Sequence, residues 1–432
     1  MSIEQLCNTF RDVPRSVIIK TDALRLGVTF SHAAKEAVKD MNIHFKGHFI
    51  FSQDMEHTVV TREKIPNWFC LKSDDTTIQA RAGGSSPYII DWIDGKFVFR
   101  DEAGIVEEVY FDPSPKWASL SFDDGTPYQA VAQPTGKDAV LGFMTFLCDR
   151  WTYKEQCLFC DIGANLQKKL KNERGAVVTA RPEMLAQVFQ AAQREPGFRH
   201  FCLSSGSVID KRDGKSEIEW YCDYLNTISE GINGNWMSSY VNIQPKPKDE
   251  IKMLHETGVP ALIMNLEVWG ERLFNIICPG KAKATGWEGC LRQVIDAVDV
   301  FGKGRIQTNF VAGVEMAQPW GFKEPLAAVK STLAGFEYLM AHGVLPRTNV
   351  WVAEPGSALA GQSPPPLEYY IELGRGYLEL RQKYNFPFPF WGWCRCCYKV
   401  DAIPEWDYYL WDKRAKGVKG TVTSEAGLLK GN

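Results

Sequence analysis

The sequence predicts an α/β fold in which a parallel sheet is covered by helices. Three observations lead to this prediction: strand-length apolar runs alternate six times with helical stretches, the first 135 residues lack that alternation, and cysteines cluster near both ends of the alternating part. Six β/α units in succession favour a parallel sheet, because each parallel connection needs a crossover that a helix usually supplies. The pattern alone permits either a barrel or a doubly wound sheet.

Residues 1–135 are predicted to form a small α+β domain. The dipeptide Asp94-Gly95 favours a hairpin within 88–104, because it suits a type I′ turn. The short apolar runs that predict strands here are at 48–53, 58–63, 88–104 and 107–112.

Residues 136–385 carry the alternating pattern, and residues 386–432 form a cysteine-rich extension with too little apolar periodicity to fold alone. The predicted strands are 142–147, 200–206, 235–241, 261–268, 305–314 and 349–355. The predicted helices are 182–195, 216–230, 247–258, 287–301, 324–343 and 367–384.

Composition and charge exclude several classes of protein. A formal net charge of −3 gives no electrostatic basis for binding nucleic acid or an acidic membrane. We expect no transmembrane helix, because no run of eighteen or more apolar residues occurs, and the N-terminus lacks an apolar signal core. The protein is therefore expected in the cytoplasm, where its 12 cysteines would bind metal or be buried rather than form disulfides.

A group of three cysteines follows the first predicted strand of the α/β part. Eight residues separate Cys148 from Cys157, and two separate Cys157 from Cys160. Three thiolates from one loop can hold three irons of a [4Fe–4S] cluster and leave the fourth iron open, at the strand ends where such folds carry their chemistry. The alternatives are simple burial and structural zinc, for which a fourth ligand is missing because no histidine lies between His57 and His200.

The loop resembles that of the radical S-adenosylmethionine superfamily, in the biotin synthase and hydrogenase-maturase branch. Cys157-Leu158-Phe159-Cys160 matches the family pattern, whereas the first gap has eight residues instead of the usual three. The resemblance implies a partial (β/α)6 TIM-like barrel over about residues 140–360. It also implies that Cys148, Cys157 and Cys160 hold the cluster and that Phe159 packs against the adenine of S-adenosylmethionine.

Two segments at predicted strand ends resemble motifs that contact S-adenosylmethionine in that family. The turn Ser204, Ser205, Gly206 and Ser207 resembles the segment that meets the methionine amino group, and its hydroxyls and carbonyls can accept from an ammonium. The pair Asn265 and Glu267 resembles residues that contact the ribose or the methionine part. Their alternative roles are a buried, satisfied amide and a structural salt bridge.

Three further features extend the resemblance. Gly313 resembles the strand-five glycine that packs against adenine, and Pro355-Gly356 resembles the turn after strand six. A cation is needed for the methionine carboxylate; Arg292 is the candidate and Arg272 its rival, although either could simply face solvent.

The resemblance implies an oxygen-sensitive enzyme that cleaves S-adenosylmethionine reductively and abstracts hydrogen from its substrate. A small molecule or cofactor precursor is the favoured substrate, because few basic clusters exist to hold RNA. An electron donor such as flavodoxin or ferredoxin is expected. The alternatives are radical modification of a peptide or protein, and a non-catalytic iron–sulfur or zinc protein.

A second group of cysteines, Cys394, Cys396 and Cys397, lies in the C-terminal extension. It is compatible with an auxiliary iron–sulfur cluster, with zinc or a contact to substrate, or with a packed lid that holds no metal. Asp401 or a distant cysteine would have to complete a metal site. The cysteines expected to be simply buried are Cys7, Cys70, Cys202, Cys222, Cys278 and Cys290.

Overall fold

A computed structural model describes residues 1–46, 64–82, 85–172, 175–386 and 394–409, so the predicted strands at 48–53 and 58–63 lie outside the described residues. The first of its two sheets has the strand order β1-β4-β5-β6-β2-β3. These strands are β1 (Thr29–Phe30), β2 (Trp68–Leu71), β3 (Thr77–Gln79), β4 (Ile89–Ile93), β5 (Lys96–Asp101) and β6 (Gly104–Tyr110).

The predicted hairpin at Asp94-Gly95 is confirmed. Strands β4 and β5 pair antiparallel up to Ile93 and Lys96, which leaves only Asp94 and Gly95 in the turn. Both have positive φ, 50° at Asp94 and 77° at Gly95, as a type I′ turn requires.

The N-terminal part contains three helices that were not predicted from the sequence. They are α1 (Ile3–Thr9), α2 (Arg15–Leu26) and α3 (His32–Val38). Helix α2 is buried along most of its length, including Lys20 and Asp22, because it packs between the first sheet and the elements that follow the second. A helix covered on several sides has no clean amphipathic stripe, which explains why periodicity did not reveal it.

The second sheet has its strands in sequence order, β7 to β13. Strands β8 to β13 pair parallel to their neighbours, and β7 adds an antiparallel edge. A doubly wound sheet would reverse its order at a switch point; this order does not, so the predicted partial (β/α)6 barrel is confirmed. The strands are β7 (Ala132–Thr135), β8 (Ala139–Phe143), β9 (His200–Ser204), β10 (Tyr240–Ile243), β11 (Leu262–Met264), β12 (Ile306–Ala312) and β13 (Leu345–Val350).

The predicted helices of the barrel are found within a few residues of their expected bounds, except that 287–301 divides into two. The helices are α4 (Asp149–Thr152), α5 (Ile162–Asn172), α6 (Pro182–Gln193), α7 (Glu217–Gly231), α8 (Lys248–Glu256), α9 (Glu271–Ile277), α10 (Pro279–Ala284), α11 (Trp287–Asp296), α12 (Val298–Phe301), α13 (Pro325–Ala341) and α14 (Leu367–Lys383). None of these helices combines the length and the apolar character needed to cross a membrane.

The last strand lies at Leu345–Val350 rather than at the predicted 349–355. Its first half contains a proline and an arginine, which are unusual in a buried strand. Arg347 is nevertheless buried, because its guanidinium lies over the rings of Tyr240 and Tyr398, 4.7 Å and 4.8 Å from the ring centroids. Cation–π stacking therefore compensates for a charge that the apolar pattern could not anticipate.

Residues 394–409 connect the two sheets. The amide of Gln79 in β3 donates to the carbonyl of Lys399, and the amide of Val350 in β13 donates to the carbonyl of Val400, at 3.0 Å and 3.1 Å. Strand β7 precedes the predicted boundary at residue 135 and still pairs with β8. The division into 1–135, 136–385 and 386–432 stays a prediction.

Candidate active site

The cysteine loop that follows β8, residues 144–161, is anchored on two sides. The amide of Asp149 donates to the carbonyl of Ser207 beyond β9, at 2.9 Å. The amide of Leu158 donates to the carbonyl of Ile277 at the end of α9, at 2.8 Å. The loop is therefore fixed between the segment after β9 and the helix that follows β11.

The loop faces a cavity of about 360 Å³ inside the barrel. The cavity extends along the inner face of the sheet, from the C-terminal strand ends to residues of the C-terminal extension. The sequence-predicted residues of the S-adenosylmethionine site that line it are Cys148, Cys157, Phe159, Cys160, Ser204, Ser205, Gly206, Ser207, Asn265 and Glu267.

The three thiols of the loop have different electrostatic surroundings. Burial raises the pKa of Cys148 and of Cys160, and at Cys160 the neighbouring Cys157 and Cys148 raise it further. The pKa of Cys157 is lowered instead, chiefly by a hydrogen bond with the thiol of Cys278 and also by the charge of Lys281, against the effect of burial. Because the thiolate is the form that binds metal, Cys157 is the best prepared of the three candidate ligands.

Asn265 and Glu267 lie at and just beyond the end of β11. The amide of Glu267 donates to the carbonyl of Asn309, and the amide of Val311 donates to the carbonyl of Glu267, both at 2.9 Å. These two bonds to β12 hold Glu267 at a φ of 70°, a region that non-glycine residues rarely occupy.

A buried ion pair orients this carboxylate. The ammonium of Lys281, on α10, donates to Oε1 of Glu267 at 2.7 Å and to the carbonyl oxygen of Asn265 at 2.8 Å. Burial opposes the charge of Lys281, but Glu267, Cys157 and Cys278 together outweigh it and raise the pKa of the lysine. Sequence reasoning missed Lys281, because only the packing of α10 beneath the strand ends brings it here.

The side-chain oxygen of Asn265 has no partner in the part of the chain that the structure describes. Oδ1 is shielded from solvent and accepts no hydrogen bond from the described residues, although Asn265 lines the cavity. Buried polar atoms are nearly always paired in native proteins. This oxygen is therefore available to a donor on a bound molecule, such as an ammonium or a hydroxyl group.

Gly206 is required by the close approach of the serine–glycine turn to the cysteine loop. A Cβ built on this residue would overlap the carbonyl oxygen of Leu147 and come within 2.9 Å of Cα of Cys148. The amide of Gly206 also donates to the carbonyl of Thr145 at 3.2 Å. The turn thus supports the loop directly.

The other residues predicted to contact S-adenosylmethionine, which are Arg292, Gly313, Pro355 and Gly356, are not among the residues that line this cavity. A Cβ on Gly313 would come within 2.6 Å of Pro365, and one on Gly356, which follows Pro355, within 2.7 Å of Ala164. Both glycines therefore permit close packing at the edge of the site.

The two candidate arginines lie at the surface. Arg292 is exposed on α11, and Arg272 is exposed on α9, where Nη1 donates to the carbonyl of Trp320 at 2.8 Å. The lysine and arginine side chains that line the cavity are those of Lys281, Arg347 and Lys399.

The cysteines of the C-terminal extension lie at the other end of the same sheet. Cys397 lines the cavity beside His200, the first residue of β9. Asp401 does not join the cysteines, because its Oδ2 accepts a hydrogen bond from Thr348 at 2.7 Å. Asp138 lies there instead, with Oδ2 3.1 Å from Sγ of Cys394.

No protein-family model matches the chain. Among curated proteins, the bacteriochlorophyllide c C-7(1)-hydroxylase of Chlorobaculum limnaeum is 22% identical over 280 residues, which are 63% of this chain and 67% of the hydroxylase.

Solved structures with low identity also match. A radical S-adenosylmethionine methyltransferase from Sphaerobacter thermophilus is 15% identical, with a TM-score of 0.38 over 90% of this chain and 92% of the methyltransferase. Methylornithine synthase is 13% identical, with a TM-score of 0.40 over 61% of this chain and 71% of that one. Coproporphyrinogen III oxidase from Escherichia coli, described as a radical S-adenosylmethionine enzyme, is 12% identical, with a TM-score of 0.34 over 60% of this chain and 56% of the oxidase.

Proposed function

Because the chain resembles radical S-adenosylmethionine enzymes, as its cysteine loop predicted, we propose that it binds one [4Fe–4S] cluster on Cys148, Cys157 and Cys160 and cleaves S-adenosylmethionine there. One observation carries the proposal. The three thiols line a single interior cavity at the C-terminal strand ends, together with the carboxylate of Glu267 and with Oδ1 of Asn265, which has no partner among the described residues. This is a donor set for a metal cluster beside acceptors for a cationic ligand.

The residues present fit both cofactors. When bound, a reduced cluster with one open iron supplies the electron that breaks a C–S bond of S-adenosylmethionine and starts radical chemistry. Oδ1 of Asn265 accepts from the amino group or a ribose hydroxyl of that ligand. Glu267 accepts beside it, and the hydrogen bond from Lys281 fixes its carboxylate in position.

The cavity also protects the reaction. Phe159, Ile263, Val311 and Trp351 give its wall an apolar part. The main chain and side chains of residues 397–400 complete the wall at the far end. A partly enclosed site limits the access of water to reactive species, and it suits a small molecule better than a segment of a folded protein.

The proposed substrate is therefore a small molecule or a cofactor precursor. The similarity to the bacteriochlorophyllide hydroxylase places tetrapyrroles among the classes to test. An electron donor of the flavodoxin or ferredoxin type would reduce the cluster, and the protein would act in the cytoplasm.

Anaerobic reconstitution tests the proposal. The full chain should bind about four irons and four sulfides, be reduced by dithionite, and yield 5′-deoxyadenosine with methionine from S-adenosylmethionine. Cys157→Ala should lose the iron and the products. Cys222→Ala, which removes a partly buried cysteine on α7 away from the cavity, should keep both.

Two results would refute the proposal. One is full iron retention in Cys157→Ala. The other is a loaded and reduced wild-type cluster that cleaves no bond of S-adenosylmethionine. Products that carry the aminocarboxypropyl group would support the cluster site and would show that a different C–S bond of S-adenosylmethionine is cleaved. Compounds that stimulate turnover, tetrapyrroles included, would then identify the substrate class.

A further inference from the structure

Four side chains from distant parts of the chain converge at the N-terminal strand ends of the barrel. Asp138 precedes β8, His200 begins β9, and Cys394 and Cys397 belong to the C-terminal extension. One ligand atom from each lies within 4.8 Å of all the others. We propose that Asp138, His200, Cys394 and Cys397 bind a single zinc ion, which is independent of the iron–sulfur cluster.

The spacing of the ligand atoms suits one ion. Sγ of Cys394 lies 2.9 Å from Sγ of Cys397 and 3.1 Å from Oδ2 of Asp138. A tetrahedral ion with Zn–S bonds of about 2.3 Å separates neighbouring ligand atoms by roughly 3.8 Å. Outward shifts of less than about 1 Å would therefore open the site to full size. An iron–sulfur cluster would spread the thiolates over different irons, and this compact group favours one ion instead.

The two cysteines are arranged as zinc ligands usually are. They follow the C-x2-C spacing that is common in structural zinc sites. The amide of Cys397 donates to Sγ of Cys394 at 3.2 Å, a contact that holds the two cysteines close together. Both cysteines are free, so no disulfide competes for them.

His200 is oriented toward the other three ligands. Its Nδ1 lies 2.9 Å from the carbonyl oxygen of Ser238 and must donate to it, so Nε2 is the ring nitrogen left to bind an ion. Nε2 is shielded from solvent, has no hydrogen-bond partner among the described residues, and lies 3.9 Å from Oδ2 of Asp138. A carbonyl that fixes the tautomer from behind is the usual support for a metal-binding imidazole.

A divalent cation would suit the charge that the group carries when its two thiols are ionised. Two thiolates and a carboxylate would repel one another at these distances, and a divalent ion would neutralise most of that charge. Sγ of Cys396 also lies 2.9 Å from Oδ2 of Asp138 but is partly exposed, so we place it outside the ligand set. The ion would fasten residues 394–400 to the floor of the barrel and close the cavity at that end.

Measurements on the wild-type chain test the site without any substitution. Protein from zinc-supplemented cells, purified anaerobically, should contain about one zinc per chain in addition to its iron. X-ray absorption at the zinc edge should show two sulfur and two nitrogen or oxygen ligands, at about 2.3 Å and 2.0–2.2 Å. Zinc-free protein, or zinc bound by nitrogen and oxygen alone, would overturn the proposal. About eight irons with matching sulfide and no zinc would assign the cysteines to a second cluster and overturn it too.

Variants then assign the ligands. His200→Ala and the double change Cys394→Ser with Cys397→Ser should each lose the zinc while the iron at the cysteine loop stays near four. Cys396→Ser is the matched control and should keep the zinc. Zinc that survives in the double variant would contradict the assignment. If that variant does not fold, the wild-type zinc content and absorption spectrum decide alone. Loss of iron and loss of zinc are separate readouts, so this test does not depend on the proposed radical chemistry.

Discussion

At the scale of single residues, the backbone conformation of Glu267 bears on its role in the proposed S-adenosylmethionine site. A glutamate at a φ of 70° is held in a sparsely populated conformation that costs about 1–3 kcal/mol. Its two backbone bonds to β12 and its ion pair with Lys281 offset that cost. Strain of this kind concentrates at ligand sites, which agrees with a role in contacting S-adenosylmethionine rather than a purely structural salt bridge.

We expect Glu267→Gln to weaken S-adenosylmethionine binding by about tenfold or more, because a hydrogen bond to a charged group contributes about 1.5–3 kcal/mol. The substitution also leaves Lys281 buried without its carboxylate, which could lower affinity indirectly. The double variant Glu267→Gln with Lys281→Met removes that unpaired charge. Anaerobic calorimetry should still find weak binding in the double variant; recovery of wild-type affinity would make Glu267 a structural residue only.

At the scale of elements, the proposed cluster site depends on how closely the end of β9 approaches the loop after β8. Gly206 allows this approach, and hydrogen bonds from Asp149 and Gly206 join the two segments. The sequence of the turn at residues 204–207 resembles a motif that contacts S-adenosylmethionine. In the structure this turn also supports the cysteine loop. That task could not be read from the sequence, because it depends on how two segments about 60 residues apart meet.

We expect Gly206→Ala to displace the loop and to lower the iron content of reconstituted protein by at least about half, since the added Cβ meets rigid backbone. Iron and sulfide assays with the absorption spectrum of the cluster measure this. Gly289→Ala is the matched control. Its Cβ on α11 would meet only the methyl group of the exposed Thr285, at 3.0 Å, and alanine favours the helix. An unchanged cluster in Gly206→Ala would refute the proposed support.

Local sequence patterns predicted some secondary-structure elements correctly and missed residues that depend on tertiary packing. The hairpin at Asp94-Gly95 and the barrel helices follow from local turn chemistry and periodicity, so they were found close to their predicted bounds. The last strand was predicted at 349–355 and lies at Leu345–Val350, because Arg347 interrupts the apolar run of β13. Lys281, Cys278 and His200 carried no local signal, because each reaches its site only through tertiary packing.

At the scale of the whole molecule, the C-terminal extension holds the N-terminal part and the barrel together. Nζ of Lys20 on α2 donates to Oε2 of Glu405 at 2.8 Å and to the carbonyl oxygen of Tyr398 at 2.9 Å. Both side chains of the ion pair are fully buried. Because the extension also lines the cavity, its anchoring links stability to the shape of the site.

We expect Glu405→Leu to destabilise the protein by about 3–5 kcal/mol, because it leaves the ammonium of Lys20 buried and uncompensated. The double variant with Lys20→Met should regain most of that stability, since an apolar pair can replace a buried ion pair. Thermal unfolding of the anaerobic protein compares the variants. A single variant as stable as wild type would show that the pair does not anchor the extension.

The central claim is that Cys148, Cys157 and Cys160 hold a cluster whose open iron binds S-adenosylmethionine. Electron paramagnetic resonance and electron–nuclear double resonance test this directly. The sample is the dithionite-reduced protein with S-adenosylmethionine that is isotopically labelled in its amino and carboxylate groups. The account predicts that the cluster signal changes on addition of the ligand and shows hyperfine coupling to both labelled groups, and that Cys157→Ala shows neither. A reduced wild-type cluster with about four irons and no coupling to the labels would contradict the account.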